Sequence, residues 1–273
     1  LFMEPGRPGR KVLLADALIN SYNIATVRLG MDLGLSSIAS EIRRALPGMM
    51  IKERPSLLLG ALETSPLNVA VLYAPFANLG KRVTPIGLKA VVKDKSVLLQ
   101  ATPTAAVPVM SPNAVYLVNT CLADVLRFGT ARTAGEYGMP DGIYGKTGTT
   151  NDMRDAWFVG FTPDVVTVVW VGNDANRPVN LSGASGAMPI ASRVMGATVH
   201  PRTVQPPGDI VFCDIDPQNG MIASELIEKR TVAYIKGTEP TEVSERVPEG
   251  GSGIGEDIKE GADKVVGWFK TLF

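Results

Sequence analysis

From Val12 to Leu46 apolar side chains recur at helical spacing, with breaks at Asn20-Ser21-Tyr22-Asn23 and at Gly34. The pattern predicts short helices there, after a Pro/Gly/Arg-rich opening loop over residues 1–10. Thr64-Ser65-Pro66 is a helix start, because a first-turn proline gives up an N–H that has no intrahelical partner. That helix runs through Leu67 to Tyr73 and fades at Asn78-Leu79-Gly80. Leu88 to Val92 and Val97 to Gln100 predict a hairpin around Lys93-Asp94-Lys95-Ser96. Ser111-Pro112 opens a helix with Val115, Val118, Leu122, Val125 and Leu126 on one face, ending before Gly129. Past residue 143 the texture changes. Tyr144 to Thr150, Ala156 to Phe161 and Val165 to Val171 are strand-like, and the last is β-branched enough to predict a central strand. A helix from about Met188 to Ala197 packs back. The boundaries expected are one main domain over 1–200, a small β-rich tail over 201–238, a Pro/Glu/Gly/Ser linker over 239–253 and an amphipathic helix over 254–273.

Composition narrows the function classes. Of 273 residues 45% are hydrophobic and 20% charged, which is enough apolar material for a core. Lys plus Arg and Asp plus Glu are 27 each, so a sequence-independent nucleic-acid partner is not expected. A single histidine excludes HExxH and three-histidine metal sites. A Ser-His-Asp triad would have to use His200, which sits in the Pro-flanked loop Thr198-Val199-His200-Pro201. Cys121 and Cys213 are too few for a disulfide scaffold and are expected to be small buried residues. The uncharged stretch 96–123 is broken by Pro103, Pro108 and Pro112, so no membrane span is expected in it. The chain opens on Leu1 without a signal peptide and is expected to be a piece of something longer, whose anchor lies elsewhere.

The chemistry concentrates in Lys146-Thr147-Gly148-Thr149-Thr150, which falls on a strand. Lys146 supplies a fixed positive charge, and the hydroxyls of Thr147 and Thr149 can bind a carboxylate. Gly148, without a Cβ, lets a peptide approach and pair as an added strand. The Thr149 amide can donate to a developing oxyanion. The bland alternative is a Gly/Thr-rich hairpin with a surface lysine. Ser21-Tyr22-Asn23 lies on a helix break, where a serine can relay a proton and an asparagine can hold a substrate amide. Its alternative is ordinary helix-break chemistry.

In this order the two motifs resemble the penicillin-binding protein and serine β-lactamase superfamily. Further segments carry the likeness: Ala17 to Asn23, Ser65 to Ala70 with Phe76 to Gly80, Val125 to Ala131, Asp155 to Phe161, and Val169 to Asp174. Over about residues 10–200 the chain is similar to the transpeptidase domain of class A, bifunctional penicillin-binding proteins, and Gly183 to Met188 favours the 1B type. The resemblance implies an α+β fold of the β-lactamase/transpeptidase kind: a mainly antiparallel sheet flanked by helices, plus a helical lobe. It implies Ser21, Asn23 and Lys146 as catalytic residues, and Thr147, Gly148 and Thr149 as substrate-binding residues. It implies no metal and no cofactor. The partners implied are peptidoglycan stem peptides and β-lactams, with other cell-wall synthesis proteins, on the extracytoplasmic face of a bacterial inner membrane.

One departure bears on mechanism. The family's first motif is Ser-x-x-Lys, with serine as acylated nucleophile and lysine as its base. No Ser or Thr in this chain has a lysine three positions later, and only 20 residues precede Ser21. The resemblance therefore implies a truncated nucleophile motif, a chain inactive by itself, and a parent with a glycosyltransferase domain and anchor further upstream. Two other readings stay open: a non-catalytic β-lactam-sensing or interaction module, and a serine β-lactamase. The second needs a water-activating carboxylate, and Glu63 stands one residue too early in Glu63-Thr64-Ser65-Pro66-Leu67-Asn68 to match that family's loop.

Overall fold

The computed structural model describes residues 2–4, 7–202 and 204–247, with side chains from residue 11 onward. It forms two compact units. One is Leu1–Val211 with Ala233–Thr238; the other is Phe212–Val232 with the described residues from Glu239 onward.

The first unit opens on an antiparallel ribbon, β1 (Phe2–Glu4) with β2 (Arg7–Val12), where the composition predicted a loop. Pro8 is tolerated because a two-stranded ribbon is all edge, so its missing N–H interrupts no inner ladder. Three helices follow: α1 (Leu14–Ile19), α2 (Asn23–Leu33) and α3 (Leu35–Ala45). Both predicted breaks are present. Gly34 separates α2 from α3 with φ +89°, a backbone conformation that glycine adopts without the Cβ penalty other residues meet there. The α4 helix (Pro66–Ala77) is capped by the Ser65 hydroxyl, which accepts the Asn68 N–H at 3.2 Å. That cap accounts for the Glu63–Asn68 sequence as helix-start chemistry. Short strands β3 (Lys81–Arg82) and β6 (Val107–Pro108) pair across a hairpin made of β4 (Ala90–Lys93) and β5 (Ser96–Gln100). The hairpin turn places Asp94 and Lys95 both at positive φ.

The α5 helix (Pro112–Arg127) leads to the main sheet: β7 (Tyr144–Thr149), β8 (Ala156–Phe161) and β9 (Val166–Val171), antiparallel in that order. The middle place belongs to β8, not to the more β-branched β9. Valine-rich composition marks a half-buried pleated surface and not a position in the sheet. Phe158 and Phe161 of β8 are fully buried, together with Val125 of α5 and with Met188, Ala191 and Met195 of α6 (Met188–Thr198). Each large apolar side chain so buried contributes roughly 1.5–3 kcal/mol. Tyr73 of α4 packs its ring edge-on to Phe161 at 6.1 Å, and Tyr144 of β7 lies 5.4 Å from Phe161. Helices and sheet thus share one core, and that core fixes β7 in place.

Beyond α6, β10 (Ile210–Ile215) and β11 (Arg230–Ile235) pair as a two-stranded ribbon. In the second unit, the stretch expected as a linker does not run free over its described part. Ser244 is buried, and Ile222 donates its N–H to the Glu242 carbonyl and accepts the Ser244 N–H, each at 2.8 Å. The predicted helix over 254–273 lies outside the described residues. Both cysteines, expected buried, are only half-buried, and neither forms a disulfide. His200 is exposed in a loop, as expected.

Candidate active site

Ser21 sits in the break between α1 and α2, and the break is built locally. Asn20 donates backbone and side-chain N–H groups to the Asp16 carbonyl, ending α1, and Tyr22 N–H reaches back to Ala17 O at 2.8 Å. Ser21 is left at φ +56°, in the left-handed region. A non-glycine residue held there costs on the order of 1–3 kcal/mol, and such residues cluster at functional sites. The turn presents the Ser21 hydroxyl toward β7, where the Lys146 ammonium donates to Ser21 Oγ. Lys146 also donates to the Thr147 carbonyl at 3.1 Å. Burial disfavours the charged amine and brings its pKa from 10.5 down to about 8. Asn23, the first residue of α2, is exposed one helical step from Ser21 and makes no side-chain hydrogen bond among the described residues.

Two threonines on β7 are anchored from elsewhere. Thr147 Oγ1 lies 2.7 Å from Thr130 Oγ1, just beyond α5. Thr149 Oγ1 accepts the Gly183 N–H at 2.9 Å, which leaves its own proton free to donate outward. Gly183 must be glycine for that contact. A Cβ there would stand 2.4 Å from the Trp157 carbonyl and 2.6 Å from that of Gly148. Beyond the motif, the Asp155 carboxylate accepts the Thr150 hydroxyl and the Trp170 indole N–H, each at 2.9 Å, and so closes the β7–β8 loop. Since β7 is the first strand of its sheet, its outer edge has no strand partner among the described residues.

The structure therefore brings Ser21 against Lys146, whereas the hydroxyls of Thr147 and Thr149 meet Thr130 and Gly183, Asn23 is exposed at the start of α2, and Gly148 lies on the open strand. Sequence reasoning missed Thr130 and Gly183 as supports. Both come from distant segments, and neither residue type announces a role without its spatial neighbour. A cavity of about 320 Å³ lined by Phe76, Asn119, Tyr144 and Arg202 holds none of these residues.

Gly129 joins the pieces. A Cβ on it would lie 2.6 Å from the Ile19 carbonyl and 2.8 Å from Val125 Cα, so the end of α1 rests directly on the end of α5. Gly129→Ala is expected to push α1 away, destabilising the fold by about 1–3 kcal/mol as overpacking does. Thermal unfolding checks this; an unchanged melting temperature would show that α1 is not wedged there.

Ser-x-Asn at a helix break, facing Lys-Thr-Gly on an edge strand, is the arrangement implied by the family resemblance, and the mixed helix and antiparallel-sheet architecture is that of the β-lactamase/transpeptidase fold. Residues 4–196 match the family described as the penicillin binding protein transpeptidase domain, and residues 206–249 match the penicillin-binding protein 1A C-terminal domain. The chain belongs to the penicillin-binding protein transpeptidase family, on its class A branch. It is 38% identical over 228 residues to penicillin-binding protein 1B of Escherichia coli (strain K12), covering 82% of this chain and 26% of that protein. It is also 38% identical over 193 residues to penicillin-binding protein 1A of Neisseria gonorrhoeae, covering 68% of this chain and 24% of that one. The crystal structure of penicillin-binding protein 1A from Haemophilus influenzae superposes with TM-score 0.77 at 25% identity, over 89% of this chain and 45% of that one. The chain spans about a quarter of the length of the first two relatives. Among the described residues no helix is long and apolar enough to cross a membrane.

Proposed function

We propose that this chain is the C-terminal portion of a peptidoglycan D,D-transpeptidase domain, cross-linking stem peptides through a serine acyl-enzyme. The parent would also carry a glycosyltransferase and work on the extracytoplasmic face of the inner membrane. The observation that carries the reading is the contact between Lys146 and Ser21, which unites two motifs 125 positions apart. In this reading a stem peptide lies along the open edge of β7 as an added strand. Its terminal carboxylate is held by the Thr147 and Thr149 hydroxyls and the Lys146 charge. A serine from a Ser-x-x-Lys motif outside this chain attacks the penultimate carbonyl, with the Thr149 N–H stabilising the oxyanion. Ser21 passes a proton to the leaving D-alanine amine, drawing on Lys146, and Asn23 holds the substrate amide. A second stem-peptide amine then takes the acyl group and releases the serine. A β-lactam would enter by the same carboxylate contacts and remain as the acyl-enzyme.

Intact-mass measurement after incubation with a labelled penicillin tests the reading. The 273-residue chain is expected to form no adduct, and the chain extended upstream through Ser-x-x-Lys is expected to form one stoichiometrically. A stoichiometric adduct on a serine of the shorter chain would overturn the placing of the nucleophile. An extended chain that folds yet stays unlabelled would move the site to a non-catalytic binding role.

A further inference from the structure

We infer that the β4–β5 hairpin is a docking arm for a partner protein whose surface combines apolar side chains with carboxylates. A two-stranded hairpin is marginal by itself and gains stability by packing an apolar face on something. Among the described residues this one leaves its apolar side chains uncovered. Every residue of β5 is exposed, and Val92 and Leu98 are 60% and 63% exposed, with Leu88, Val97 and Leu99 also above half. The register skips Leu98, pairing Val91 with Leu99 and Val92 with Val97, so Leu98 is the extra residue of a bulge and has no partner opposite it. Exposed apolar side chains gathered on one projecting element mark an interaction surface, whereas isolated ones do not.

Charge selects the occupant. Residues 81–101 hold Lys81, Arg82, Lys89, Lys93 and Lys95 against the single carboxylate Asp94, on a chain whose formal net charge is zero. Among the described residues Lys89, Lys93 and Lys95 have no salt bridge. Three cations spaced around an apolar hairpin are complementary to an acidic, apolar segment, and they repel a second basic arm. The arm carries none of Ser21, Asn23 or Lys146, so it serves association and not the acyl-transfer chemistry.

The probe is a fluorescein-labelled synthetic peptide alternating glutamate and valine, with the lysine–valine peptide as control. Fluorescence polarisation on the 273-residue chain, and on the chain extended upstream through Ser-x-x-Lys, is expected to show binding of the glutamate peptide alone, with hydrogen-exchange protection confined to residues 88–100. Binding lost in the extended chain would assign the hairpin face to the upstream part of the same domain and overturn the proposal. Val92→Ser with Leu98→Ser is expected to weaken binding at least tenfold without lowering the melting temperature, because neither side chain is buried. Lys93→Glu with Lys95→Glu is expected to reverse the preference between the two peptides. Equal affinity for both peptides, no binding at all, or binding indifferent to the hairpin variants would overturn the proposal. So would hairpin-dependent binding to phosphatidylglycerol vesicles but not to the peptide, which assigns the arm to a lipid surface. Hairpin-dependent dimerisation in light scattering without peptide binding assigns it to a second copy and likewise overturns it.

Discussion

Lys146→Ala is expected to slow acylation by penicillin about 10²–10³-fold in a polypeptide that includes the nucleophile, as removal of one donor at a developing charge does. The ammonium stands against Ser21 Oγ and beside the strand edge where the substrate carboxylate would lie. In the proposed mechanism its loss would remove both the proton source for Ser21 and the charge that holds the anion. Stopped-flow or gel-based acylation measures the rate, and an unchanged rate in a folded variant would remove Lys146 from the mechanism. The pH profile gives a second check. Burial holds the lysine at about 8, below its ordinary 10.5. The charge-dependent part of the rate should therefore fall as pH rises through about 8. Stability moves with the opposite sign. Between about 8 and 10.5 the unfolded chain keeps the Lys146 proton and the folded chain has released it, so stability rises with pH. The cost of burying the charge is fully present below about 8 and fades toward 10.5. Melts of wild type and Lys146→Ala across that window should show the wild type gaining on the variant as pH rises.

Much of this site was legible because its chemistry sits where local rules are strongest. Asn20 to Asn23 interrupts a helical period, and such a break exposes side chains whatever the tertiary context. Lys146 to Thr149 falls on a strand, and a glycine inside a strand pattern signals close approach of another backbone. The strand set was legible too, but its order was not. Val165 to Val171 carries the strongest β pattern, yet Ala156 to Phe161 takes the middle of the sheet, because it is joined to each neighbour by a short connection, residues 150–155 and 162–165, and pairs antiparallel with both. The supports of the site were illegible for a different reason. Thr130 meets Thr147, and Gly183 meets Thr149, only after α5 and the turn before α6 have packed on the sheet. A hydroxyl or a glycine in a loop carries no periodic signal, and only the close approach shows why it is there. The linker reading of residues 239–247 failed similarly. A Pro/Glu/Ser composition describes an unstructured chain on average, but Ser244 and Arg246 have a buried carboxylate to satisfy.

That carboxylate supports the second large effect, the expected loss of stability in Arg246→Met. Asp216 is completely buried. It accepts Arg246 Nε and Nη2 at 2.9 and 3.1 Å, the Ser244 hydroxyl at 2.7 Å and the Gln218 N–H at 2.9 Å. Burial by itself would raise the carboxyl pKa, but the hydrogen bonds from Arg246, Gln218 and Ser244 outweigh it and hold the group below its usual 3.8. Removing the guanidinium strands a charge in the interior, which costs about 3–5 kcal/mol when a buried pair is broken. The net stability of a whole domain is only about 5–15 kcal/mol, so a loss of this size is enough to open the second unit locally. Hydrogen exchange should accelerate at Asp214 to Ala223 and Glu242 to Ser244, where the backbone bonds of this unit cross. The sign with pH follows from the lowered pKa. Stability from ionised Asp216 is fully present above 3.8 and is lost as pH falls through the folded value. The deficit of Arg246→Met should therefore shrink in acid, as the stranded carboxylate takes a proton and becomes neutral. Asp216→Asn combined with Arg246→Met should recover part of the loss at neutral pH for the same reason. A deficit under about 1 kcal/mol, the range of an exposed ion pair, would show that water reaches Asp216 and that the cluster does not hold residues 242–246 in place.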